Sequence, residues 1–121
     1  MTTILVVDDS MVSRMMIKAI IKEYLPDAFI IEAGNGEEAL EKAGKSDGID
    51  IALVDYNMPG ITGLELFKQL QLTLSITQRA LLTANIQDAI RIEAEAFGVI
   101  FLNKPINEKI ISMFLLNKPV D

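Results

Sequence analysis

The chain has 121 residues, half of them hydrophobic, with a mean hydropathy of +0.34; that is one apolar domain, as expected of a sheet covered by helices on both faces. It contains no Cys and no His, which excludes disulfides, thiolate zinc sites, an imidazole base or metal ligand, and any phosphohistidine step within the chain. A net charge of −6 argues against a nucleic-acid partner, no apolar run approaches the roughly 20 residues needed to cross a membrane, and the early ILVV run, followed at once by two aspartates, is no signal peptide, so a cytoplasmic protein is expected.

Apolar runs alternate with helical patterns along the chain, the signature of repeated strand–helix units and a parallel sheet. Ile4 to Val7 reads as the first strand, ending in Asp8-Asp9. Met11 to Tyr24 follows as a helix with Met15, Ile17, Ile20 and Ile21 on helical spacing, closed by Pro26. Phe29 to Ile31 is the second strand. Asn35 with Glu38 makes a capping box for a helix reaching about Lys45, and Asp47-Gly48 is a turn.

Ile51 to Val54 is the third strand and delivers Asp55 to a loop, Tyr56-Asn57-Met58-Pro59-Gly60. Leu64, Phe67 and Leu70 mark the third helix. Ala80 to Leu82, ending at Thr83, is the fourth strand; Asn85 caps the fourth helix and Gly98 ends it. Val99 to Leu102, then Asn103-Lys104-Pro105, is the fifth strand and its loop, and Ile106 to Leu116 is the last helix. The expectation is a single α/β domain over residues 1–121: a doubly wound, five-stranded parallel sheet with five helices.

Taken singly, each polar residue at a strand end is an ordinary turn, cap or surface residue. Together they are not ordinary. The ends of parallel strands share one edge of the sheet, where ligands bind, so Asp8, Asp9, Asp55, Thr83 and Lys104 converge there. Carboxylates about 5 Å apart repel by roughly 3 kcal/mol per pair at an effective dielectric near 20, which a hard divalent cation with oxygen ligands offsets; Mg²⁺ suits one or two carboxylates plus waters or phosphate oxygens. A carboxylate, a cation, a hydroxyl and a lysine suit phosphoryl transfer, with the carboxylate able to act as nucleophile.

The segments VVDDS, LVDYNMPGITG, LLTAN and LNKP, each after a strand, in this order and at this spacing, closely resemble the response-regulator receiver domain, the phosphoacceptor module of two-component and phosphorelay signalling. The resemblance spans essentially the whole chain and is to the single-domain, chemotaxis-regulator-like type. It implies a flavodoxin-like strand order of 2-1-3-4-5. It implies that Asp55 accepts a phosphoryl group from the histidine of a kinase or phosphotransfer protein, and that Asp8, Asp9, Asp55 and the Asn57 backbone carbonyl hold Mg²⁺. Lys104 would pair with the phosphoryl oxygens and Thr83 would move to bond them. Ala84 would leave space beside them, and Phe101 would be the aromatic switch residue. A cis bond is implied between Lys104 and Pro105. The module would be a switch taking part in its own phosphotransfer and autodephosphorylation, not an enzyme with a separate substrate.

Rival readings lack their residues. A nucleotide-binding fold needs a Gly-rich loop after the first strand, and DDSMVSR has no glycine. A haloacid-dehalogenase-type phosphatase needs D-x-D there. A phosphorylation-silent scaffold would have lost Asp55, Lys104 or an acidic residue after the first strand.

The last helix is apolar over more than one stripe. Ile111 and Leu115 are expected to face the sheet, leaving Ile110, Met113 and Phe114 as an outer docking face, with the fourth helix and fifth strand, for a downstream protein or a second copy in a homodimer.

Overall fold

Strong apolar runs become strands and amphipathic ones become helices throughout the computed structural model, which describes residues 1–84 and 87–117. In chain order these are β1 (Thr3–Val7), α1 (Met11–Tyr24), β2 (Phe29–Ala33), α2 (Gly36–Gly44), β3 (Ile51–Asp55), α3 (Gly63–Leu70), β4 (Gln78–Thr83), α4 (Asp88–Ala96), β5 (Ile100–Asn103) and α5 (Glu108–Leu115). All strand pairs are parallel and the order is β2-β1-β3-β4-β5, as the sequence resemblance implies.

Alternating strand side chains build two cores. Leu5, Val7, Ala52, Val54 and Leu81 face α2, α3 and α4, where Phe67 and Leu70 fill the layer. Ile4, Val6, Ile51, Leu53, Ala80, Leu82 and Leu102 face α1 and α5. The order reverses between β2 and β3, so right-handed crossovers place α1 and α5 on one face and the other helices on the opposite face. The central strands β1 and β3 are buried on both sides, which accounts for their unbroken apolar runs.

Local signals set the helix ends. Ser10 caps α1, its hydroxyl accepting from the Ser13 amide. Asn35 accepts from the Glu38 amide as expected, but the Glu38 carboxylate takes the Gly34 amide, so the box is only half closed. A complete capping box lies at Thr62 and Glu65, at the start of α3. Gly98, with φ of 81°, ends α4 in a Schellman turn: Val99 donates to Ala94 and Gly98 to Glu95. Asn85 lies outside the described residues; the residue at the α4 N-cap is Gln87, without a side-chain cap.

Three expectations change. α5 begins at Glu108, behind an Asn107 cap, and not at Ile106. Met15 is exposed, because α1 turns its Ile17, Ile20 and Ile21 stripe to the sheet. Phe114 is only 8% exposed and belongs to the core between α1 and α5, so it is no part of an outer face. Residues 111, 114 and 115 share one stripe at the i, i+3, i+4 spacing, and Phe114 fills the space where α5 packs beside α1. Its carbonyl accepts the Gln78 side-chain amide at 2.8 Å. Ile111 and Leu115 do face the sheet, while Ile110 and Met113 are half-buried.

Candidate functional site

Five strand ends line one edge, and their register brings the polar residues together. β1 and β3 are neighbours with Val7 beside Val54, so the next residues, Asp8 and Asp55, lie on adjacent strands, a separation of about 5 Å. Lateral backbone bonds hold the edge: Asp8 donates to the Ala33 carbonyl, Tyr56 to Leu82, and Lys104 to Thr83.

Asp8 is fully buried, Asp55 is 5% exposed and Thr83 is buried, while Asp9 stands exposed at the rim. Carboxylate oxygens of Asp8, Asp9 and Asp55 all lie within 4.8 Å of one another. The Lys104 ammonium enters between two of them, 3.2 Å from Asp8 Oδ2 and 3.5 Å from Asp55 Oδ1. Burial, then the Asp8 charge, pushes the Asp55 pKa up to about 6, against the pull of Lys104. Burial works against the charge on Lys104, but Asp55 and then Asp8 outweigh it and raise its pKa. A hard cation fits this donor set: three convergent carboxylates, one of them exposed to solvent, in a chain with no His and no Cys.

The other expected residues fall around this centre. Ala84 follows Thr83 at the surface and Asn57 is exposed in the loop after β3. The Lys104–Pro105 bond is cis. Phe101 lies on β5 beside Leu81, half-buried against the core under α4. A cleft of about 360 Å³ runs from Phe101 past Lys104 and Pro105 to Asn107 and Ile110. A larger cleft of about 520 Å³ lies between the start of α2 and Pro59-Gly60-Ile61, and none of the three acids lines it.

The sequence motifs assign no role to two site-building residues, Gly63 and Arg14, although Gly63 closes the LVDYNMPGITG segment. Gly63 opens α3 hard against β3, where a Cβ would lie 2.5 Å from the Asp55 carbonyl oxygen and 2.6 Å from Leu81. The T-x-x-E signal of Thr62 and Glu65 marks that helix start. Arg14 bonds the Asp8 carbonyl at 2.6 Å and Glu32 at 3.0 Å; no short motif announces it.

The response regulator receiver domain model matches residues 4–114. The cyclic di-GMP phosphodiesterase response regulator RpfG of Xanthomonas campestris is 34% identical over 111 residues, which are 88% of this chain and 29% of that protein; the chain thus spans less than a third of that relative. The chemotaxis protein CheY4 of Vibrio cholerae is similar in structure, with a TM-score of 0.82 at 29% identity over 97% of this chain and 98% of that one. The response regulator protein TrrA of Thermotoga maritima, solved in complex with Mg²⁺-BeF, gives 0.77 at 30% identity, over 97% and 98% of the two chains.

Proposed function

The chain belongs to the response regulator receiver domain family, and on that premise we propose that Asp55 is its phosphoacceptor, with Mg²⁺ held by Asp8, Asp9, Asp55 and the Asn57 carbonyl. Receiver domains of this family are phosphorylation-activated signalling switches. The observation carrying the assignment is the cluster itself: three carboxylates within 4.8 Å, with Asp55 at the end of the central strand and Lys104 3.5 Å from it.

In the transfer, an Asp55 oxygen forms the new P–O bond while the P–N bond of a partner's phosphohistidine breaks. The imidazole leaves with the bonding pair and takes a proton. Asp55 must be ionised, which its pKa of about 6 allows at neutral pH. Mg²⁺, when held by Asp8, Asp9 and Asp55, would supply charge neutralisation for the phosphoryl oxygens. Lys104 places a second positive charge there, and the Thr83 hydroxyl donates to the same group. Hydrolysis of the acyl phosphate restores Asp55, so the module resets itself.

Incubation with acetyl phosphate and Mg²⁺ should add one phosphoryl group, read by intact mass, and Asp55→Asn should add none. Stoichiometric labelling of that variant at another residue overturns the assignment.

Both partner surfaces follow from the same placement. Met11, Val12, Met15 and Met16 form an apolar patch, 45–65% exposed, on the first turns of α1, directly after the acids. A histidine kinase or phosphotransfer protein reaching Asp55 covers this patch. Met15→Glu should therefore slow transfer from a phosphohistidine protein and leave modification by acetyl phosphate unchanged. The signal leaves through the α4–β5–α5 face to a downstream protein. There Ile92 and Ile100 are exposed, and Phe101, Ile110 and Met113 are half-buried. Ile100→Glu should weaken phosphorylation-dependent binding without blocking phosphorylation; loss of self-association in sedimentation would instead make the occupant a second copy.

A further inference from the structure

Arg14 stands on the second turn of α1, and its guanidinium turns back toward the sheet. Nη1 donates to the Asp8 carbonyl at 2.6 Å, and Nε donates to Glu32 Oε1 at 3.0 Å. The other Glu32 oxygen accepts from Lys18 at 2.7 Å. Lys18 first, and Arg14 after it, hold the Glu32 carboxyl below the usual carboxylate range against partial burial. Arg14 is only 18% exposed while Glu32 is 38% exposed, so solvent screens the ion pair on the Glu32 side and the contact of consequence is the one Arg14 makes with the Asp8 carbonyl.

What Arg14 grips matters more than the pair itself. The Asp8 carbonyl belongs to the peptide that joins Asp8 to Asp9, the two acids contributed by this turn. The remaining groups around Asp8 are also tied: its amide donates to Ala33 of β2, and its Oδ1 accepts from the Ser10 amide at 2.9 Å. With the Asp8 amide and carbonyl both anchored, the direction in which exposed Asp9 leaves the chain is set by the backbone and not by the ion. Glu32, the penultimate residue of β2, anchors the guanidinium.

We infer that Arg14, braced by Glu32, is a positioning residue that orients the Asp8–Asp9 peptide so that both carboxylates are arranged for the cation before it arrives. This rests on the proposed Mg²⁺ site. Partners of this outer kind change metal affinity by about 10- to 100-fold when removed.

The sign of the effect separates positioning from charge. Arg14 is a cation near an acidic site, so removing it should tighten Mg²⁺ binding by electrostatics alone. Loss of positioning should weaken it. Calorimetric Mg²⁺ titration of the full chain should show Arg14→Met about ten-fold weaker than wild type. Arg14→Lys, which can hold the carbonyl or the carboxylate but not both, should fall between. Glu32→Gln should also weaken binding, less than Arg14→Met. Lys18→Met shares Glu32 but does not touch Asp8, and should stay within about two-fold of wild type. With acetyl phosphate, the half-saturating Mg²⁺ concentration of Arg14→Met should rise about ten-fold, with most of the rate recovered at saturation.

Equal or tighter binding by Arg14→Met overturns the inference, as does an equal loss in Lys18→Met, which would mark a merely structural ion-pair network. If Arg14→Met does not fold, Arg14→Lys takes its place, and binding by that variant as tight as wild type overturns the inference. A wild-type chain that binds no Mg²⁺ overturns the metal site and this inference together; tight wild-type binding with an unaffected Arg14→Met overturns only the latter.

Discussion

Lys104 and Asp8 are 96 residues apart in the chain and 3.2 Å apart in space. The ammonium also reaches Asp55 at 3.5 Å, so one partly exposed cation serves two buried acids. Lys104→Met should destabilise the metal-free protein by about 3 kcal/mol, the low end for breaking a buried pair because Lys104 is 24% exposed, since removing one partner leaves buried charge uncompensated. Mg²⁺ should recover more stability in this variant than in wild type, because it binds only the folded site and replaces the missing charge. Urea denaturation in EDTA and in Mg²⁺ measures both effects; an identical loss under the two conditions contradicts the assignment.

The raised Asp55 pKa makes a pH prediction of definite sign. Between its ordinary value of 3.8 and the folded value of about 6, the folded state binds more protons than the unfolded one. The contribution of Asp55 is therefore fully present below about pH 4 and is lost as pH rises through 6. In EDTA, Asp55→Asn should be more stable than wild type at pH 7.5, by up to about 3 kcal/mol for a two-unit shift, and the gap should close toward pH 4. A gap independent of pH would mean that Asp55 is not the titrating group.

Thr83 ends β4 buried beside the acids, and its carbonyl accepts the Lys104 amide at 2.9 Å. Phe101 pairs with Leu81 two residues earlier on the same strand. On the proposed assignment, a phosphoryl dianion on Asp55 would recruit the Thr83 hydroxyl and Phe101 would fill the vacated space, biasing two existing states. Thr83→Ala should accept phosphate yet lose most of the phosphorylation-dependent change in the Phe101 ring resonances. Wild-type changes in that variant would break the proposed coupling.

Phe114 is a core residue, and its truncation should show it. Phe114→Ala should lower stability by about 3–5 kcal/mol, measured by denaturation, whereas Met113→Ala, half-buried on α5, should cost far less. If Phe114→Ala costs under about 1 kcal/mol, the packing of α5 on α1 is wrong.

Element type and order were legible in the residues themselves because each signal is local: a run of buried aliphatics, a Pro or Gly stop, an Asn or Asp at a turn. So was the convergence of Asp8, Asp9, Asp55, Thr83 and Lys104, since parallel strands must end along one edge. Helix rotation was not legible in this way. On α5, apolar residues occupy more than one stripe, and periodicity alone does not say whether Phe114 or Ile110 turns inward. Contact with α1 decides it, through the volume left between the two helices. Arg14 and Glu32 show the same limit from the polar side: 18 residues separate them, each reads as an ordinary surface charge, and only the pairing of β2 with β1 beneath α1 brings the guanidinium to the Asp8 carbonyl. Local chemistry determined which elements form and which acids share an edge; the packing of one element on another, a long-range competition for buried volume and hydrogen-bond partners, decided which side chains those elements present.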